Sequence, residues 1–272
     1  MTGALQSAWD SVDSRFGETA VGSAVTACPV EAPLKEADIP AECSFLKKDQ
    51  LVSGTEDQFS RSRKLAEVKK PGIAVKHTFP GDKAPQDATE YVAAIDGKSV
   101  KIVMAVVAPV EAGTFLPSVD EVAKGLGAVP TEQLGTIKTV EVSPNRNPSD
   151  AYWEKTYGTP GFQSAAVGGN GGVTMFPTSF ALDQARIDSN LIHEGGHTFQ
   201  SEIWKVAATK KTWADAIKND PVSPSRYADN SIDEDMSESL VMYSLSKGTP
   251  CEAVAKKTFP NRYAELDRLM AK

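Results

Sequence analysis

The chain has 272 residues, of which 40% are apolar and 24% are charged, a composition typical of a globular protein with a hydrophobic core. Its 29 basic and 36 acidic residues give a net charge of −7. That balance argues against nucleic acid or an anionic membrane surface as the main partner, because both select a basic surface. No apolar segment approaches the ~18 residues that a membrane-spanning helix needs.

The first 86 residues read as a loop-rich region with one helix. Apolar residues at helical spacing predict that helix over residues 3–16: Leu5, Trp9, Val12 and Phe16. Prolines interrupt the pattern from about residue 17 onwards, and the sequence leaves open whether this region folds separately. The acidic N-terminus lacks the basic and apolar stretches of a secretory signal peptide, so we expect any export to use another route.

The three cysteines are too few for a disulfide framework, and they do not form a Cys-x-x-Cys zinc motif. Cys28 and Cys43 could pair across a polar loop and leave Cys251 free. The alternative is that all three remain reduced thiols.

Regular structure is predicted from residue 87 to the C-terminus. Two β-branched runs, 89–95 and 99–108, flank an Asp-Gly pair and predict a hairpin. Ser118 and Glu121 form a capping box that predicts a helix to about Leu126, and residues 137–142 alternate as a strand.

A glycine-rich loop at 168–172 leads into a further strand, which consists of Val173, Thr174, Met175 and Phe176. Pro177 stops this run, as is typical of an edge strand. The remaining sequence reads as helical, with a break at 220–230. Strands followed by helices predict an α+β fold with a mixed or antiparallel sheet and a helical C-terminal part.

Residues 193–197 read His-Glu-Gly-Gly-His and contain two of the three histidines. On a helix, His193 and His197 share one face, so both imidazoles can bind a single Zn²⁺. Glu194 lies next to that face and could take a proton from a zinc-bound water. Gly195 and Gly196 lower helix propensity by up to ~1 kcal/mol each, and close packing beneath the metal is one reason that would account for them. The alternative is a helix whose two histidines are hydrogen-bonded and bind no metal.

A catalytic zinc needs a third protein ligand and one open position. Ile203 occupies the position where a metzincin has its third histidine, which excludes that class. His77 lies in the irregular N-terminal region, and we interpret it as structural. The Glu42-Cys43 pair lacks the glycine and leucine of a peptide deformylase motif.

Glu234 and Glu238 are four residues apart on a predicted helix and therefore share one face. We predict that Glu234 binds the metal and that Glu238 accepts a hydrogen bond from a ligand imidazole. Asp235 points to another face and is the weaker choice. The alternatives are a capping box between Ser231 and Glu234 and a solvated helix face for Glu238.

A His-Glu-x-x-His helix followed by a glutamate from a later helix resembles the gluzincin branch of the zincin metallopeptidases. The segment from Tyr227 to Glu238 is similar to the catalytic region of anthrax lethal factor. The resemblance implies a zincin-like catalytic domain over residues 87–272 with one Zn²⁺ per chain. It implies that Tyr227 donates a hydrogen bond to the oxyanion. It also implies that strand 173–176 lies at the sheet edge above the active-site helix and pairs with the substrate.

The segments 171–177 and 247–252 also resemble metallopeptidase toxin domains of bacterial polymorphic-toxin and type VI secretion effectors. This resemblance implies a zinc metallopeptidase that is exported without a classical signal peptide and acts in a target cell or the periplasm. Its expected partners are a protein or peptide substrate, a secretion-apparatus carrier and an immunity protein. The alternatives are a zinc amidase acting on cell-wall peptides, a catalytically silent zincin-like binding module, and a cytoplasmic location if the protein is not an effector.

Overall fold

The computed structural model describes residues 34–50 and 56–271, in which helices pack against one seven-stranded sheet. The predicted helix at 3–16 and Cys28 lie outside the described residues. The strands are β1 (Ala66–Val68), β2 (Ile73–His77), β3 (Gln86–Ile95), β4 (Lys98–Ala105), β5 (Thr139–Val142), β6 (Ala166–Gly169) and β7 (Gly172–Met175). The strand order is β1-β3-β4-β5-β7-β6, and β2 also pairs with β3.

The sheet is mixed, because β5 runs parallel to both β4 and β7 while the other pairs are antiparallel. The helices are α1 (Glu56–Ser60), α2 (Val119–Ala128), α3 (Thr131–Leu134), α4 (Asp150–Tyr157), α5 (Gln184–Ile203), α6 (Ala207–Asn219), α7 (Ile232–Ser246), α8 (Glu252–Thr258) and α9 (Pro260–Leu269). The predicted α+β class with a mixed sheet is therefore confirmed. None of the helices in the described ranges has the length and apolar character to cross a membrane.

Local sequence signals account for the hairpin and for the first long helix. Asp96 and Gly97 have φ angles of 49° and 73°, the left-handed conformation that a two-residue hairpin turn requires, and they join β3 to β4. The Ser118 hydroxyl accepts a hydrogen bond from the Glu121 amide, and the Glu121 carboxylate accepts one from the Ser118 amide. Both predicted features are confirmed.

The main hydrophobic core lies between the sheet and α5, and it continues across α5 to α7. Val140 and Val173 contribute from the sheet, Leu191 and Ile192 from α5, and Leu240 from α7, all fully buried. Each fully buried aliphatic side chain contributes about 1.5–3 kcal/mol of hydrophobic free energy. The helix that carries both histidines is thus held on two sides.

The predicted edge position of residues 173–176 is wrong. Strand β7 lies between β5 and β6, and the outer strand is β6. Asn170 and Gly171 have φ angles of 50° and 82° and form a tight turn that folds β6 back onto β7. The glycine-rich segment is therefore part of a hairpin, and Pro177 follows the strand instead of interrupting an edge.

The described part of the N-terminal region shares the sheet and the core with the rest of the chain. Strands β1 and β2 pair with β3 across the predicted boundary at residues 86 and 87. Phe45 and Phe59 are buried in the main core. Cys43 forms a disulfide with Cys251, 208 residues further along the chain, so the considered pairing with Cys28 is wrong.

Candidate metal centre

Helix α5 presents both histidines towards α7, and its glycines let neighbouring elements come close. A Cβ atom at Gly196 would lie 2.7 Å from Ser237 Oγ and 3.2 Å from a Leu240 methyl group, both on α7. A Cβ atom at Gly195 would lie 2.8 Å from Gln133 Nε2. The two glycines are therefore closely packed, Gly196 against α7, the helix that carries Glu234, and Gly195 against Gln133. That this packing lies beneath a metal stays a prediction.

Helix α7 begins at a Ser231 cap, because the Ser231 hydroxyl accepts a hydrogen bond from the Glu234 amide at 3.1 Å. The Glu234 carboxylate does not complete a capping box but turns to the histidines. Its Oε2 lies 3.1 Å from His193 Nε2 and 3.4 Å from His197 Nε2. One ligand atom from each of these three residues lies within 4.8 Å of the other two, so the group could hold a metal ion.

The Nδ1 atom of each imidazole ring also lies within hydrogen-bond distance of a polar side chain. His193 Nδ1 lies 2.9 Å from Glu238 Oε1. His197 Nδ1 lies 3.3 Å from Ser237 Oγ and 3.4 Å from Gln200 Oε1. Contacts of this kind fix ring orientation and tautomer at metal sites, and here they direct both Nε2 atoms towards Glu234.

The three carboxylates around the histidines favour a positive charge at the centre. Burial opposes the charge on His193, but hydrogen bonds to Glu234 and Glu238 outweigh it and raise the pKa of His193 well above 6.5. The pKa of His197 is raised in the same way, against burial, by Glu234 and Glu194. Burial would raise the pKa of Glu234, but the two histidines lower it to about 2. Such a centre suits a cation bound by two neutral imidazoles and one carboxylate.

The other predicted site residues lie beside this group. The Glu194 carboxylate approaches His197 Nε2 to 4.0 Å. The ring centroid of Tyr227 is 5.6 Å from that of His193, and the tyrosine is 38% exposed. Both residues line an open cleft of about 740 Å³, as do His197 and Glu234.

Beside α5, the cleft is lined by β6 and the segment before it, not by β7. The aromatic residues that line the cleft as a whole are Trp153, Phe162, Trp204 and Tyr227. A Cβ atom at Gly168 would lie 2.0 Å from the Glu194 carbonyl oxygen, so β6 passes over α5 at the glutamate of the motif. The predicted strand 173–176 is separated from the free edge by β6.

Among the described residues, β6 is an end strand of the sheet, and its outer edge has no strand partner. The Phe176 amide donates to the Ala165 carbonyl at 2.9 Å, so Ala165 and every second residue after it turn their backbone groups towards β7. The amides and carbonyls of Ala166 and Gly168 therefore point away from the sheet.

Two residues that were considered as ligands have other contacts. His77 lies on β2, with Nε2 3.1 Å from Glu141 Oε1 and its ring edge-on to Phe79. Asp235 forms a buried ion pair with Arg262 at 2.6 Å. Neither belongs to the possible metal group found among the described residues.

Several residues of the centre escaped prediction from the sequence. Ser225 donates a hydrogen bond to Glu238 Oε2 at 2.7 Å, and Gln200 donates to Ser237 Oγ at 3.0 Å. Nothing in the sequence distinguishes these polar residues from others of their type. The turn at Asn170-Gly171 did have a signal, because Asn-Gly between two short runs is typical of a hairpin.

Comparisons of the chain with protein-family models, with curated proteins and with solved structures found no match. The chemistry of the centre therefore rests on its own residues.

Proposed function

We propose that the protein is a zinc-dependent metallopeptidase in which His193, His197 and Glu234 bind the metal. The observation that carries the proposal is the convergence of these three side chains, with ligand atoms within 4.8 Å of one another. Two of them, His197 and Glu234, line an open cleft. Two histidines and a glutamate are a ligand set of catalytic zinc sites, which keep a fourth position open. The Glu238 contact to His193 Nδ1 supports it, because metal-binding imidazoles donate their other N–H in this way.

When bound, the zinc ion would polarise the scissile carbonyl and lower the pKa of a water molecule at the open position. Glu194 would accept the proton of that water and deliver it to the leaving amine. The Tyr227 hydroxyl would donate a hydrogen bond to the oxygen of the carbonyl under attack. Glu238 would keep His193 oriented throughout.

An extended peptide would bind along β6. Its backbone would pair with the outward-facing groups of Ala166 and Gly168, as an added strand does at a free sheet edge. Because Gly168 lies directly over Glu194, such a strand would pass beside the proposed base. This edge favours a polypeptide over other amide substrates, since every residue of a polypeptide offers an amide and a carbonyl for pairing.

The proposal extends to a secreted effector that acts outside the producing cell. The Cys43–Cys251 disulfide supports this location, because disulfides persist in oxidising compartments.

Peptide-bond hydrolysis by the purified, zinc-loaded protein tests the function. An unfolded protein and a mixture of cell-wall peptides serve as parallel substrates, so that an endopeptidase and a cell-wall amidase are distinguished. Glu194→Gln should keep the bound zinc and lower the rate by about 100-fold or more, as loss of a general base does. The matched control is Glu202→Gln on the exposed part of the same helix, which should cleave at the wild-type rate. Wild-type activity in Glu194→Gln would refute the assignment.

A further inference from the structure

The loop from Asp220 to Asn230 joins α6 to α7 and carries Tyr227, and we refer to it as the site loop. Ser225 is its most direct link to the metal centre. Ser225 is 4% exposed, and its hydroxyl donates to Glu238 Oε2 at 2.7 Å and accepts from the Ala228 amide at 2.9 Å. A single hydroxyl thus joins the backbone just after Tyr227 to the carboxylate that holds His193.

A second set of contacts holds the outer side of the site loop. Asp49 accepts two hydrogen bonds from Arg226, one from the backbone amide and one from Nε, each at 2.7 Å. The Asp49 amide donates to the Pro224 carbonyl at 3.3 Å. The residues on both sides of Ser225 are therefore tied to the segment that precedes residue 51.

These two sets of contacts hold the residues on either side of Tyr227 in the chain. Arg226 is fixed by Asp49 on one side of Tyr227, and Ala228 is fixed by Ser225 on the other. Tyr227 lies between them in the chain, and its ring centroid is 5.6 Å from that of His193. Loss of either contact would remove one restraint on the loop backbone next to Tyr227, and loss of the Ser225 hydroxyl would also remove one hydrogen bond from Glu238.

We propose that Ser225 and Asp49 are positioning residues, which hold the site loop so that Glu238 orients His193 and Tyr227 stays over the metal centre. The inference rests on the proposed function, and it adds a coupling between the N-terminal part of the described chain and the site. The two residues act through Glu238 and Arg226 and touch neither the metal nor the substrate.

The test measures Zn²⁺ affinity of the full chain by competition with a chromophoric chelator. Ser225→Ala should weaken binding by up to about tenfold, the lower end of the loss seen when a direct partner of a ligand is removed, because Ser225 acts one contact further out, through Glu238. Asp49→Ala should weaken it less, in the same direction. Asp215→Ala is the matched control, because Asp215 forms an exposed ion pair with Lys211 on α6 and should leave the affinity unchanged. Ser225→Thr, which keeps the hydroxyl, should restore most of the affinity.

Two further readouts separate positioning from a merely structural role. The absorption spectrum of the Co²⁺-substituted protein should change in Ser225→Ala, because it reports the geometry of the ligands. Amide exchange at Ala228 in the metal-free protein should be faster in both variants. A purely structural role would lower the melting temperature and leave the affinity and the Co²⁺ spectrum unchanged, which would overturn the inference.

Zn²⁺ binding by the wild type distinguishes a failure of the positioning inference from a failure of the proposed function. If the wild type binds Zn²⁺ and both variants bind it equally well, the positioning inference is refuted and the proposed function stands. If the wild type binds no Zn²⁺, the proposed function is refuted together with the metal-positioning role.

Discussion

Replacement of Gly168 by alanine tests the close approach of β6 to the helix that carries the motif. The added Cβ atom would lie 2.0 Å from the Glu194 carbonyl oxygen, 2.6 Å from the carbonyl carbon and 2.9 Å from Cα. Because all three are backbone atoms, no side-chain rotation relieves the clash. The two elements must separate by more than about 1 Å to reach ordinary contact distances.

We expect Gly168→Ala to destabilise the fold by about 3 kcal/mol, the upper part of the usual range for overpacking. For a chain of this size, that lowers the melting temperature by roughly 6–12 °C. The proposed metal ligands lie on α5 and α7, so zinc binding should persist while peptide hydrolysis falls, because the proposed substrate edge is displaced from Glu194. Differential scanning calorimetry and a zinc titration measure the two effects.

Gly172→Ala is the matched control, because it lies in the same hairpin and its Cβ atom would meet nothing closer than 3.8 Å. An alanine there should leave the stability unchanged or raise it by up to about 1 kcal/mol. Equal melting temperatures for Gly168→Ala and the wild type, or equal losses in the two variants, would refute the close approach.

Two further predictions concern the scaffold. The Cys43–Cys251 disulfide closes a loop of 208 residues, so its reduction should lower the free energy of unfolding by about 2–5 kcal/mol. Chemical denaturation with and without reductant measures this loss, and an unchanged denaturation midpoint in reductant would contradict the pairing. Hydrogen bonds from Lys256 and the Gly248 amide lower the pKa of Glu252 to about 2. Because this pKa is below the unfolded value of 4.5, ionised Glu252 stabilises the fold at higher pH, and that stabilisation is lost as the pH falls from 4.5 to about 2. Glu252→Gln should therefore flatten the plot of unfolding free energy against pH over this range.

The parts of the fold that follow local rules could be predicted from the sequence. The Asp96-Gly97 turn and the capping box at Ser118 depend only on neighbouring residues, and both are present as expected. The His-Glu-x-x-His spacing places two imidazoles on one face of any helix. Glu234 and Glu238 required one further assumption, that α7 packs against α5, and their contacts with His193 agree with it.

Features that depend on distant pairing could not be predicted in the same way. Strand β6 is Ala-Val-Gly-Gly, a composition with little strand propensity, and the sheet partner β7 determines its conformation. Cys43 and Cys251 are far apart in the chain, and only the fold brings them together. Ser225 contacts Glu238 on α7, and no spacing rule indicates that contact.

Metal binding by the three proposed ligands is the most direct test of the central claim. The zinc content of the wild type, Glu234→Ala and Glu238→Ala is measured by elemental analysis after dialysis without chelator. The geometry predicts about one zinc per chain in the wild type, loss of the metal in Glu234→Ala, and a weakened but retained site in Glu238→Ala. A wild type that neither contains zinc nor takes it up when it is added would contradict the account, and the helix with His193 and His197 would then be structural.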